Sequence, residues 1–313
     1  MTDDKLFDEK TRRKLDQLML VATRVRAGAM KGERRSIKRG TSIEFADYRN
    51  YVRGDDLRRL DWNIYARLEK PFYARLEKPF IKLLEDEEDL AVHLLLDSSR
   101  SMDWPGDGER DQHKFFYGQR LMAGLATIAM GSNDRLTLAT LNDSRQAGFG
   151  PVRGRGHSLG VLRYVSALKP DGTADLNTTL RDYALRAGRP GLCFLISDLL
   201  APAGFMEGLS VLQGKGSLQG KGYEVAILHL LARDEVEPPM GGDLRLIDIE
   251  TNQPQEVSID GGMRDLYMKR LTEWQDSIRI DCLRRGVHYV PVITDTPWEK
   301  VILYNLRRLG TVK

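Results

Sequence analysis

The run Leu94 to Met102, LLLDSSRSM, places an Asp-x-Ser-x-Ser triplet directly after a hydrophobic stretch. Asp97, Ser99 and Ser101 carry oxygen donors at alternate positions, so a short loop at the end of a buried strand can turn all three toward one point. Hard oxygen ligands of this kind suit Mg²⁺ or Mn²⁺. Two of the three are uncharged hydroxyls. A cation held by them stays electron-poor and keeps room for an oxygen from another molecule, a carboxylate being the natural choice. The same residue types also cap helices and fill turns, so a helix N-cap ahead of the segment beginning at Gln112 is the plain alternative.

Two later stretches supply further donors. Asp171-Gly172-Thr173 precedes a helix-like run, and Leu192 to Asp198, LCFLISD, is a second apolar segment ending in an acid. Thr173 adds a third hydroxyl and Asp198 a second carboxylate, acting through water, which makes five oxygen donors from three loops. This set resembles the metal-ion-dependent adhesion site of the von Willebrand factor A domain. The alternative is a degenerate site that keeps its shape without the ion.

The elements that must position these loops follow from hydrophobic periodicity. Strands are expected at Ala91 to Asp97, Arg135 to Leu141, Leu192 to Asp198, Tyr223 to Leu230 and Val287 to Ile293. Helices are expected at Gln112 to Gly131, Ser158 to Leu168, Leu176 to Ala187, around Phe205 to Val211, at Met263 to Arg285 and from Pro297. Leu244 to Ile249 and Glu256 to Ile259 read as a hairpin. Continuous apolar strands alternating with amphipathic helices predict an α/β fold, a doubly wound and mostly parallel sheet with helices on both faces. Ligands of such sheets bind beyond the carboxyl ends of the strands, where Asp97 and Asp198 fall. Ahead of this domain, expected at residues 90–313, residues 1–89 hold a helix between Lys5 and Met30, then irregular structure leading into a β-hairpin arm.

With 313 residues, 41% hydrophobic and 30% charged, the chain has the composition of an ordinary globular protein. No stretch approaches the roughly 18 to 20 apolar residues of a membrane span, and MTDDKLFDEK lacks the hydrophobic core of a signal peptide, so a cytoplasmic location without membrane attachment is expected. Cys193 and Cys282 have no metal-like spacing and read as buried small hydrophobes. The net charge of +3 is modest, although basic residues gather between Arg12 and Arg39. That cluster reads as a solvated helix face and basic loop, or else as a docking surface for an acidic partner. Two tandem copies interrupt the pattern: YARLEKPF at Tyr65 to Phe72 recurs at Tyr73 to Phe80, and LQGKG at Leu212 to Gly216 recurs at Leu218 to Gly222. The second reads as an enlarged loop, because six residues inserted within a helix would rotate everything after them by about 240°.

The segment GTSIEFADYRNYVRGDDLRRLDWNIYARL carries Glu44-Phe45, Tyr48-Arg49, Gly54-Asp55-Asp56, Arg58 and Asp61-Trp62 ahead of LLLDSSRSM. In this it resembles the bacterial family called domain of unknown function 58, over nearly the whole chain. The duplicated copy departs from the family's single pass through this arm. The resemblance implies partnership with a MoxR-type AAA+ ATPase in maturing or assembling other proteins. Arg49, Arg58, Asp55, Asp56 and Asp61 read as an ion network pinning the arm, with Tyr48 and Trp62 as core residues.

Enzymatic readings find less support. The five histidines include no HxxxH or HExxH pair, GRGHSLG at Gly154 to Gly160 lacks the ending of a phosphate loop, and neither Ser99 nor Ser101 lies in G-x-S-x-G. Ser158 reads instead as a helix cap. The expected function is a non-enzymatic, metal-dependent protein-binding adaptor, using Mg²⁺ or Mn²⁺ and a client protein that supplies an Asp or Glu to the metal. The alternatives are a divalent-metal phosphatase or nuclease, and nucleic-acid binding through the basic N-terminal region, although nucleic acid is not the expected partner.

Overall fold

The computed structural model describes residues 6, 9–22, 43–50, 80–86, 90–105, 111–143, 148–186, 189–214, 222–238, 242–247, 254–259 and 261–313. The chain divides into two compact units, one formed by Met1–Lys31 with Leu90–Lys313 and the other by Gly32–Asp89.

In the smaller unit, β1 (Ile43–Asn50) pairs antiparallel with β2 (Phe80–Asp86), in a register running from Ile43 opposite Asp86 to Asn50 opposite Phe80, with a bulge between Phe45 and Asp47. The strand therefore begins inside the stretch expected to be irregular. Residues 51–79, with Arg58, Asp55, Asp56, Asp61, Trp62 and most of the first tandem repeat, lie outside the described residues. Of the expected ion network and its packing, Arg49 and Tyr48 fall on β1 and the remaining members lie in that stretch.

The larger unit opens with α1 (Glu9–Leu15), whose last turn carries Arg12, Arg13 and Lys14, charges that complement the carboxyl end of a helix. The helix expected as far as Met30 stops much earlier. Met19 exchanges backbone hydrogen bonds with Lys313 (3.0 and 2.9 Å), and the Val21 N–H donates to the Thr311 carbonyl (2.9 Å). Pairing with the C-terminus buries Leu18, Leu20, Val21 and Ala22, so tertiary packing overrides the helical spacing of this segment.

Six strands form the main sheet: β3 (Ala91–Asp97), β4 (Arg135–Leu141), β5 (Gly148–Val152), β6 (Leu192–Ser197), β7 (Glu224–Leu231) and β10 (His288–Ile293), in the order β10-β7-β6-β3-β4-β5. All neighbours are parallel except β4 and β5. The edge strand β5 was not legible from the sequence, since two glycines and a proline in GFGPV argue against a strand and are tolerated only at an edge. A separate antiparallel pair joins β8 (Gly242–Ile247) to β9 (Pro254–Ile259), as expected.

Period-2 alternation divides the central strands between two cores. Val92, Leu94 and Leu96 of β3 with Phe194 and Ile196 of β6 pack on one face, under α2 (Lys114–Gly131), α3 (Ser158–Ala167) and the C-terminal helical segment from Trp298. Leu95, Cys193, Leu195, Val225 and Ile227 pack on the other, under α4 (Leu176–Arg186), α5 (Met206–Leu212) and α7 (Gly261–Arg285). The helix α6 (Arg233–Val236) is a single short turn after β7. Both faces are thus covered, which is why β3, β6 and β7 are buried along their whole length. Both cysteines are buried and free, and burial pushes both thiols up. Ser158 is no cap: it is the first residue of α3, and its hydroxyl donates back to the Arg155 carbonyl (2.7 Å).

The second tandem copy begins where α5 ends. The Tyr223 N–H, just ahead of β7, donates to the Leu212 carbonyl (3.1 Å), so the two ends of the intervening loop already meet. Removing residues 217–222 leaves LQGKG joined to Tyr223 and keeps both anchors, while shortening a loop changes closure entropy little. Thermal unfolding of that deletion should match the parent, with stability within about 1 kcal/mol. A fall of about ten degrees, several kcal/mol for a domain this size, would show that the copy is integral to the core.

Candidate functional site

The central strands β3 and β6 each lead to a carboxylate: Asp97 is the last residue of β3, and Asp198 follows β6. The chain runs from β3 toward β4 on one side and from β6 toward β7 on the other. Strand order thus reverses between β3 and β6, and the carboxyl ends of strands at such a reversal are the place where open α/β sheets bind ligands.

Asp97 is buried with both oxygens engaged. Oδ1 accepts the Ser99 N–H (3.0 Å) and the Ser99 hydroxyl (2.7 Å), and Oδ2 accepts the Ser197 hydroxyl (2.6 Å). Ser101 Oγ lies 2.9 Å from Ser99 Oγ. Burial pushes the Asp97 carboxyl up to about 6, the charge of Asp198 adds to the rise, and the hydrogen bonds from Ser197 and Ser99 oppose it. Ser197 Oγ also accepts the N–H of Leu199, a buried residue at φ 56°. A bulky side chain rarely enters that left-handed region, so the turn after β6 is held in a strained conformation beside the site.

Asp198 faces a cation supplied by the chain itself. Its Oδ2 accepts a hydrogen bond from Lys114 Nζ (2.8 Å) and its Oδ1 from the Leu200 N–H (3.1 Å). Lys114, the first residue of α2, has a side chain that is 0% exposed and makes a second bond to Glu235 Oε1 (2.7 Å). Glu235 Oε2 accepts the Ala232 N–H (2.7 Å), which fixes the short helix α6 after β7. Burial would lower the Lys114 pKa, but Asp198 and Glu235 outweigh it and hold the ammonium above the ordinary lysine value. Beneath the site, His229 Nε2 donates to the Asp198 carbonyl (2.9 Å), so its Nδ1 accepts from the Tyr289 hydroxyl (2.6 Å). Burial lowers this histidine to about 4 and keeps it neutral.

The third loop is tied to the first by backbone bonds: Arg100 N–H to the Gly172 carbonyl (3.0 Å) and Asp171 N–H to the Ser98 carbonyl (2.7 Å). The Thr173 hydroxyl donates to Asp143 Oδ2 (2.5 Å), and Asp143 Oδ1 accepts the Asp175 N–H (2.9 Å). The structure therefore joins Asp97, Ser99 and Ser101 directly, sets Asp198 close enough for its charge to act on Asp97, and carries Thr173 on a loop docked against theirs. Four partners escaped the sequence reading: Lys114, Glu235, Ser197 and Asp143. Asp143 had a signal of the kind that revealed Asp97 and Asp198, an apolar strand followed by an acid, one residue removed by Asn142. Lys114 was visible only as a lysine opening an apolar helix.

The donor set is compatible with a small divalent cation. The Ser99 hydroxyl donates to Asp97, so the Ser101 hydroxyl donates to Ser99, and a lone pair on each serine oxygen stays available. The 2.9 Å between the two serine oxygens is a hydrogen-bond length, and it also matches the spacing of about 2.9 Å between neighbouring ligands around octahedral Mg²⁺. Among the described residues no group of three or more His, Cys, Asp or Glu is placed to hold a metal, so a cation here would rest on the hydroxyls and Asp97.

The family described as Protein of unknown function DUF58 matches residues 47–277, and the chain belongs to it. Uncharacterized protein Rv1480 of Mycobacterium tuberculosis is 26% identical over 294 residues, covering 93% of this chain and 87% of that protein, and Uncharacterized protein Mb1516 of Mycobacterium bovis matches equally. Among solved structures, similarity extends to an aerotolerance-related membrane protein of Bacteroides fragilis, 14% identical over 70% of this chain and 99% of that one, with a TM-score of 0.43. The pilus adhesin SpaC of Lactobacillus rhamnosus GG is 11% identical over 47% of this chain and 25% of that one, with a TM-score of 0.35. Among the described residues, no helix is long and apolar enough to cross a membrane.

A carboxyl whose pKa is higher in the folded chain than in the unfolded one keeps its proton longer when folded, so its contribution to stability falls as pH rises from the unfolded value through the folded one. For Asp97 that window runs from the ordinary 3.8 to about 6, worth roughly 3 kcal/mol. In metal-free buffer, Asp97→Asn should therefore gain roughly 3 kcal/mol on the wild type between about pH 4 and about pH 7.5. Urea unfolding at the two pH values measures the difference; one that does not change with pH would contradict the burial of an ionisable Asp97.

Proposed function

We propose that this chain is a non-enzymatic protein-binding adaptor built on a von Willebrand factor A-like domain, and that it uses Mg²⁺ or Mn²⁺ at Asp97, Ser99 and Ser101 to take a carboxylate from a partner. The observation that carries the reading is the Ser99 hydroxyl donating to buried Asp97 with Ser101 Oγ 2.9 Å away, at the strand-order reversal of the sheet. Thr173 and Asp198 belong to the outer part of this site, Asp198 through its charge and Thr173 through its docked loop.

Charge balance supports a divalent cation. Asp97, Asp198 and Glu235 are three carboxylates facing one ammonium, Lys114, a formal charge of −2 when all are ionised. Buried charge left uncompensated is costly, so either a proton on Asp97 or a cation relieves it. A metal held largely by neutral hydroxyls retains positive character, and a partner's Asp or Glu meets it in a charge-assisted contact. Binding is favoured over hydrolysis because His229, the histidine bonded to the Asp198 carbonyl, has both ring nitrogens engaged and is lowered by burial to about 4, which makes it a poor general base. The family resemblance suggests the partner, a MoxR-type AAA+ ATPase acting with this adaptor on a client protein in the cytoplasm.

Calorimetric titration with Mn²⁺ tests the site: the wild type should bind, while Asp97→Ala and Ser99→Ala/Ser101→Ala should remain folded and lose binding. Surface plasmon resonance against the ATPase or client tests the function. Binding should require the divalent ion and vanish in EDTA, whereas tight binding indifferent to EDTA would contradict the adhesion reading.

A further inference from the structure

The helix α2 begins with a residue that its own position disfavours. Lys114 lies in the first turn, where the helix's exposed N–H groups repel a cation. That turn contains no acidic residue and has no side-chain cap. The lysine side chain is nonetheless wholly excluded from solvent. Helix propensity and apolar packing therefore give no account of an ammonium here; the two carboxylates that converge on it do, Asp198 from the end of β6 at 2.8 Å and Glu235 from α6 at 2.7 Å. A local preference broken at one residue, and compensated by partners from two distant segments, marks a position held for its role in a site.

The structure assigns Lys114 as the resident counter-cation of the Asp97–Ser99–Ser101 site, holding Asp198 away from a divalent ion so that the ion binds weakly until a partner carboxylate completes its ligands. This rests on the divalent-cation reading above. An ion that met both Asp97 and Asp198 unpaired would be satisfied by the chain alone. With Asp198 held by Lys114, Asp97 is the one of the two strand-end carboxylates that is held by hydroxyls and a backbone N–H rather than by a cation. Metal and partner then bind with positive coupling, each raising the affinity for the other. Glu235 is a positioning residue in this scheme: it shares Lys114 with Asp198, and its charge partly offsets the repulsion between the ammonium and the metal.

Two variants move metal affinity in opposite directions. Lys114→Met removes the competing charge and releases Asp198, and should tighten Mn²⁺ binding by about tenfold or more. Glu235→Gln keeps the ammonium and removes a negative charge, and should weaken binding several-fold. The readout is calorimetric titration of the full chain with Mn²⁺ alone, together with thermal unfolding with and without Mn²⁺. Lys114→Met leaves two buried carboxylates without their cation and is expected to be destabilised, so Mn²⁺ should raise its unfolding temperature more than that of the wild type. Glu235 is 20% exposed, so its substitution keeps the test open if Lys114→Met fails to fold. Equal Mn²⁺ affinity in the wild type and a folded Lys114→Met, or tighter binding by Glu235→Gln, would overturn the counter-cation role and leave the metal reading standing. No Mn²⁺ binding by the wild type or either variant would overturn both.

Discussion

Charge compensation at the buried end of the central sheet is the constraint around which the rest of the larger unit is arranged. Covering both faces of β3 and β6 with helices makes these strands apolar throughout, yet each leads to a carboxylate, and both carboxylates are almost fully excluded from water. The fold answers with hydroxyls on Asp97 and an ammonium on Asp198. Buried ion pairs are weak sources of net stability but costly to break, so this arrangement serves to specify which loops meet rather than to stabilise the domain.

Several local features follow from that requirement. Ser197 bridges the two strands by donating to Asp97 and accepting from Leu199, and the left-handed turn at Leu199 is the local strain that goes with it. The short helix α6 presents Glu235 to Lys114 and is closed by the same carboxylate on the Ala232 N–H. His229 anchors the Asp198 backbone from below, itself fixed by Tyr289 on the neighbouring strand β10. Five segments far apart in sequence are thus linked at one end of the sheet, and the order of strands brings them there.

What the sequence made legible is what depends on local pattern. The strands Ala91–Asp97 and Arg135–Leu141 and the helix Leu176–Arg186 fall where periodicity places them, because their burial is continuous or regular. The triplet Asp97, Ser99, Ser101 was legible because its donors sit on one loop after an obvious strand. The departures arise where distant chain segments decide the outcome. Residues 18–22 have helical spacing but pair with the C-terminus, and β5 is made possible by an edge position that its glycines and proline do not announce. Lys114 and Glu235 are separated from each other by more than a hundred positions, and no spacing rule connects a lysine at a helix start to an acid in a turn after β7. Buried charge pairing is a property of the assembled sheet.

The proposed adhesion site requires the hydroxyls of Ser99 and Ser101, backed by Asp97, to hold a divalent cation. A crystal of the full chain grown with Mn²⁺ and measured for anomalous scattering tests it most directly. An anomalous peak beside the two serine oxygens, with Lys114 still on Asp198, is the predicted result. A map without signal there at saturating Mn²⁺, or a peak at some other cluster of the molecule, would contradict it.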